Sequence, residues 1–209
     1  MGRRGVPILH DPAPLPACDV LVCESTYGDR LHEATDPKEQ LRRELEDAFR
    51  RGGFTVIPAF AVGRTQEVLY HLFELFEEGR LPKVPVYVDS PMANSVVELY
   101  CRYRSEHDVE MQELEEHAGS PLQTPYFTIV RKRDESKKLN DHPGPGIVIS
   151  ASGMATGGRV LHHLFGLVWI AHDAQRHGVH LAAVLLDHAG AGVLVAGQQG
   201  VDQGRFVGV

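Results

Sequence analysis

Cysteine, tryptophan and long apolar runs are all scarce in this chain. Its three cysteines, Cys18, Cys23 and Cys101, form no C-x-x-C pair. That spacing excludes a disulfide framework or a zinc knuckle and points to reduced thiols in a cytoplasmic setting. No apolar stretch approaches the roughly 20 residues that span a bilayer. The opening MGRRGVPILHDPAP lacks the continuous apolar core of a signal peptide, and Val6 stands where a myristoylation signal wants Ser or Thr. No membrane partner is expected. An excess of cations is missing too: 21 Lys and Arg face 28 Asp and Glu, for a formal charge of −7. Any phosphate polymer must therefore be held by a few local donors, and charge alone suits an acidic protein with no polyanion partner equally well. Neither H-x-H-x-D-H nor H-E-x-x-H occurs, so no recognised motif assembles a metal cage.

What is present is enough for one well-buried domain or a domain with an appendage, in 209 residues that are 43% hydrophobic and 23% charged. Short apolar runs predict strands at DVLVC (19–23), FTVIP (54–58), VPVYV (84–88), FTIV (127–130) and GIVIS (146–150). Helical signals separate them. Asp36 as N-cap, Pro37 at the first position and Glu39 as the return arm of a capping box predict a helix ending at Gly52. A second helix runs from about Arg64 to Glu78, with Val68, Leu69, Leu72, Leu75 and Phe76 on one face. Ser90-Pro91 opens a third through about Tyr103, EHDVEMQELEEHAG a short exposed one, DESKKLN another, and GGRVLHHL a last one. Apolar strands alternating with helices imply an α/β fold: a mostly parallel sheet with helices on both faces.

From Leu164 to Val209 there is neither Lys nor Glu, while Gly, Ala, Val and His dominate. The stretch HLAAVLLDHAGAGVLVAG offers one or two strands, but helix and turn signals are poor. This C-terminal part reads as a divergent tail, of the kind another reading frame of a GC-rich gene would give. His172, His177 and His180 carry only loose ligand-like spacing, and His162-His163 read as an ordinary surface and half-buried pair.

In a parallel sheet the loops after the strands gather along one edge, where ligands bind. Those loops are ESTYG (24–28), AFAVGRTQE (59–67), DSPMANS (89–95) and SASGMATGGR (150–159). Each carries hydroxyls, Gly or Arg, whereas the opposite edge holds plain turns such as RRGG and EEGRLPK. Arg64 suits phosphate as a two-pronged donor, or pairs with Glu67 or Glu24. Ser90 suits a helix-terminal anion site, or is a plain N-cap. Ser150, Ser152, Gly153, Thr156 and the Gly157-Gly158 pair allow close backbone approach, although GMATGG is no established phosphate fingerprint. Glu24 and Asp89 are the carboxylates at strand ends on this edge, and His32 comes within reach of Glu24 if its loop folds back.

Taken in order and spacing, ESTYGDRLH, IPAFAVGRTQEVLY, VDSPMA and ISASGMATGGRVLHHL resemble the β-CASP region of metallo-β-lactamase-fold ribonucleases, in particular bacterial relatives of the pre-mRNA 3′-end cleavage endonuclease. The resemblance covers roughly residues 1–164. It implies zinc-dependent hydrolysis of RNA phosphodiesters in the intact family, with two zinc ions activating a hydroxide and the β-CASP part clamping the RNA. By position it implies that Glu24, with His32 a weaker candidate, serves beside the zinc site. It likewise makes Arg64, Ser90, Ser150, Ser152, Gly153 and Thr156 phosphate contacts. The family's H-x-H-x-D-H is not found, so the expectation is a fragment. Residues 1–35 would be a remnant of the lactamase-like domain, 36–164 a β-CASP-like domain, and 165–209 a tail of uncertain fold. Such a chain holds no identifiable zinc ligands and is expected to be inactive alone. The implied partners are RNA and a catalytic relative or a second copy. The alternative expectation is a non-catalytic RNA-binding or scaffold module that pairs with a catalytic relative.

Overall fold

A computed structural model of the chain describes residues 4–23, 25, 28–29, 36–142, 144–165 and the backbone of 181–186 and 191–196. Four parallel strands form its centre: β1 (Phe54–Pro58), β2 (Val86–Asp89), β3 (Phe127–Ile129) and β4 (Gly146–Ser150). They lie in the order β3-β2-β4-β1, and the backbones of β5 (Leu181–Leu186) and β6 (Ala191–Ala196) continue the sheet beyond β1. β5 joins β1 in parallel and β6 joins β5 antiparallel. Two strands of the C-terminal stretch thus complete the sheet of the domain before it.

The strand residues sort by parity onto two cores, as a period of two requires when both faces are covered. Ile57, Val86, Val88, Ile147 and Ile149 pack on one face against Leu41 and Leu45 of α1 (Pro37–Arg50), Leu69 and Leu72 of α2 (Arg64–Glu77) and Val97 of α3 (Pro91–Arg102). Phe54, Val56 and Val148 pack on the other against Leu139, and against Val160 in α6, the helix over residues 159–165. Each fully buried aliphatic contributes about 1.5–3 kcal/mol. The helix starts follow from sequence. Asp36 accepts the Lys38 amide at 3.1 Å and Ser90 accepts the Ala93 amide at 3.2 Å, with proline next in both cases.

Three expectations need correction. Residues 19–23 form no strand: they pair with nothing among the described residues, and Val20 and Val22 are 78% and 89% exposed. An apolar run without a neighbouring ladder has nowhere to place its amides except water. Glu39 closes no capping box, because its carboxylate turns outward to Arg42 and Arg80. Finally, α4 (Val109–Ala118) is not simply a surface helix: Met111 is fully buried, and Glu115 lies in the interior beside Arg104 and His107. The remaining helix, α5 (Arg133–Lys138), precedes a 3-10 turn at Leu139–Asp141.

The N-terminal segment is tied to this body around residues 8–10. Ile8 is buried in the first core, Leu9 bridges to His107, the His10 amide donates to the Glu106 carbonyl at 3.1 Å, and the Asp108 amide donates to the Ile8 carbonyl at 2.9 Å.

Candidate nucleic-acid interface

Register sets the rim. Pro58 lies opposite Ser150, and Ser150 opposite Asp89, so three strands end level at their C-terminal edge. The chain continues from these points into residues 59–63, Ser90 and residues 151–158. Two close approaches join the outer loops. The Ala59 amide donates to the Ser150 carbonyl at 3.0 Å. Gly153 lies directly on Phe60: a Cβ there would stand 2.8 Å from the Phe60 amide nitrogen, so only glycine fits without displacement. Gly158 has φ +81°, and a Cβ would meet the Ala151 carbonyl oxygen at 2.6 Å. Around these glycines the loop closes on itself, the Ser152 amide donating to Gly157 and the Ala155 amide to Ser152. The loop before α2 is pinned by Thr65, whose hydroxyl donates to the Phe60 carbonyl at 2.8 Å, and by Gln66, whose side-chain amide donates to the Ala61 carbonyl at 3.2 Å.

Beneath the rim lies a buried polar cluster centred on Asp89. Its Oδ2 accepts from Ser136 Oγ at 2.6 Å and from His163 Nε2 at 2.7 Å, and its Oδ1 accepts from Arg159 Nη1 at 2.6 Å. Asp89 and His163 are both fully buried. Asn140 holds the other ring nitrogen of His163 at 2.8 Å, while its amide nitrogen donates to the His162 carbonyl at 3.3 Å. Arg159 reaches on to the Arg131 carbonyl at 3.0 Å. Burial alone would raise the Asp89 carboxyl; the hydrogen bonds from His163, Ser136 and Arg159 outweigh it and hold the group below its ordinary value. The cluster therefore fastens the ends of β2 and β3, α5 and the first turn of α6 around one carboxylate.

This cluster is what sequence reading overlooked. His163 is no half-buried surface residue; it is the core partner of Asp89. The available signal was spacing: Arg159 and His163 stand four apart and so face the same way from a helix that starts at a sheet edge ending in Asp.

The anticipated phosphate contacts separate into two layers. Ser90 and Ser150 are buried, the first capping α3 and the second donating to the Asp89 carbonyl at 3.1 Å. Ser152 and Gly153 are half-buried and Thr156 is exposed, all in the glycine loop. Arg64 Nη1 lies 3.1 Å from Glu67 Oε2 at the start of α2. Arg64, Ser90, Ser150, Ser152, Gly153 and Thr156 thus share the C-terminal side of the sheet. Glu24 and His32 lie outside the described residues, as do His172, His177 and His180.

The described residues do not fit zinc. Among the described residues no three His, Cys, Asp or Glu groups converge to hold a metal. At Asp89, the guanidinium of Arg159 occupies the place a cation would take, and both nitrogens of His163 are engaged.

An open, largely parallel α/β sheet, with glycine- and hydroxyl-bearing loops level along the C-terminal rim, defines a class of proteins that hold ligands at that edge. The family model for the Beta-Casp domain matches residues 65–174, more than half of the chain, and the chain belongs to that family. It is 40% identical over 168 residues to Ribonuclease TTHA0252 of Thermus thermophilus, covering 78% of this chain and 38% of the relative. It is 31% identical to Transcription termination factor FttA of Methanosarcina mazei over 74% of this chain and 25% of the relative. Against an RNase J-like protein of Methanocaldococcus jannaschii the identity is 34%, over 70% and 34% respectively. The chain thus spans between a quarter and two-fifths of the length of these curated relatives.

Proposed function

We propose that this chain serves in RNA processing as the part of a β-CASP ribonuclease that grips the RNA backbone. The observation that carries the reading is the seating of the 151–158 loop on Phe60, which brings Ser152, Thr156 and the loop amides to the same rim as the α2 start with Arg64. Relatives named as a ribonuclease and a transcription termination factor support it. Within the reading, Ser90 and Ser150 support the rim from below, while Arg64, Ser152 and Thr156 meet phosphate, Arg64 exchanging Glu67 for the ligand. Glu24, with His32 second, would stand beside the zinc site of the intact family, as the family resemblance implies. Hydrolysis in the intact family is read as zinc-dependent. The described residues do not fit the metal, and the isolated chain should bind RNA without cutting it. The setting is cytoplasmic.

A second reading, a non-catalytic RNA-binding or scaffold module pairing with a catalytic relative, draws support from the exposed apolar run Val20, Leu21 and Val22, which offers a partner an uncovered surface.

The test is binding and cleavage of labelled single-stranded RNA by the purified chain at several salt concentrations, with Zn²⁺ and with chelator. We expect salt-dependent binding and no cleavage. Arg64→Ala should weaken binding about tenfold and reduce the salt slope by about 0.7, the loss of one contact to a single strand. Unchanged affinity and slope would remove Arg64 from the interface, and chelator-sensitive cleavage would overturn the non-cutting reading.

A further inference from the structure

Away from the rim, the N-terminal segment, α2 and the start of α4 enclose a cavity of about 550 Å³. That is within the roughly 300–1,000 Å³ of small-molecule sites. Carboxylates reach it from four parts of the chain: Asp11, Asp36, Glu74, and Asp108 with Glu110. Lys38 is the only Lys or Arg among the described residues lining it, and it is shared between Glu74 at 3.0 Å and Glu78 at 2.6 Å. Three of the carboxylates also serve the fold, with one oxygen each: Asp11 accepts the Gly5 amide, Asp36 that of Lys38 and Asp108 that of Met111. Glu74 faces His71 at 3.1 Å as well as Lys38. Glu110 has no hydrogen bond or ion pair from its side chain among the described residues.

Acidic residues alone would say little, since helix caps account for several of them. The independent observation is Tyr70. It lines the same cavity and is only 8% exposed, yet its hydroxyl has no hydrogen-bond partner among the described residues. With its ring buried and its oxygen open to the cavity, the hydroxyl is held where a ligand atom would meet it. Burial first, and then the charges of Glu74, Asp108 and Glu110, push this hydroxyl up to about 12. It therefore stays protonated beside those carboxylates, with its oxygen lone pairs open to an incoming N–H.

The lining also selects the kind of cation. The carboxylates are spread apart, and among the described residues no three acidic or histidine groups converge tightly enough for a metal ion. Val6, Pro7, Leu9 and Val109 fill the space between them. A hydrocarbon chain ending in nitrogen cations matches that alternation, because methylenes lie on the apolar wall while each cation meets a carboxylate. We propose that this cavity binds an organic cation, an alkylammonium or guanidinium group carried on an aliphatic chain, with Tyr70 Oη accepting from it and Glu110 and Glu74 balancing its charge.

Such a group comes from a free polyamine or from a Lys or Arg side chain of a polypeptide, and titration calorimetry of the full chain at low ionic strength distinguishes the two. The probes are spermidine, a short lysine-containing peptide, and MgCl₂ at matched ionic strength. We expect saturable 1:1 binding of spermidine or the peptide and none of Mg²⁺; the tighter of the two identifies the source. Glu110→Gln should weaken that binding about tenfold and Tyr70→Phe about fivefold. Neither should shift the melting temperature by more than the small amount typical of sites without intramolecular partners. Saturation by Mg²⁺ alone, no saturable heat from either organic cation, or unchanged binding in both variants would each overturn the site. Since no RNA enters the experiment, its failure leaves the rim reading where it stands.

Discussion

Residues 19–23 and 54–58 are both short apolar runs rich in valine and isoleucine or leucine, yet they meet opposite fates. FTVIP becomes β1, buried along its whole length, with β4 hydrogen-bonded on one side and β5 on the other. DVLVC stays outside any ladder among the described residues, with its valines in solvent. The difference teaches that apolar character nominates a strand but ladder partners make one. Each backbone amide removed from water needs a mate, and only β1 has mates on both edges.

The largest effect in this contrast belongs to the group that locks the paired strands at their ends. Asp89→Ala should destabilise the fold by about 3–5 kcal/mol, because it removes the carboxylate that the fully buried His163 and the half-buried Arg159 both bond. Urea unfolding followed by far-UV circular dichroism measures it. The sign with pH follows from the carboxyl lying below its ordinary value when folded. The contribution of its charge is complete above that value and is lost as pH falls toward and through the lower folded one. The gap between wild type and Asp89→Asn should accordingly narrow below about pH 4; a gap that widens there would contradict the charge assignment.

A smaller loss is expected at the centre of β1. Ile57→Ala should cost about 2–5 kcal/mol by leaving a cavity against α1 and α2, read from the same unfolding midpoints. A change under 1 kcal/mol would mean β1 is not packed against α1 and α2 on that face. The smallest belongs to the unpaired run. Replacing Val20 and Val22 together by serine should alter stability by no more than about 0.5 kcal/mol while reducing self-association, followed by light scattering on a sizing column. A large destabilisation would show that this run is paired after all.

Much of the scaffold was legible from local chemistry. β1 and β4 fall on the residues their apolar runs marked, and Ser90-Pro91 starts α3 as a cap followed by proline should. The side of the sheet where the unusual loops meet was legible too, because parallel strands send every following loop to the same edge. The roles within that edge were not. Ser90 and Ser150 are the same residue type as Ser152, and only the depth at which the strands end puts the first two inside and leaves the third at the surface. Arg159 resembles Arg64 in sequence as the cation opening a helix, yet it turns inward to Asp89.

The sequence by itself determined the alternation of strands and helices, the glycines and prolines at their junctions, and through its motifs the β-CASP family. These are short-range properties, set by dihedral preferences and by periodicity. Tertiary structure alone decided which apolar run found partners, that Asp89 and His163, 74 residues apart, meet in a fully buried pair, and that Tyr70 faces carboxylates from separate elements. The physical reason is that the strength of a charge or a hydroxyl depends on the water around it, and the amount of water left is fixed only when distant segments close over the site.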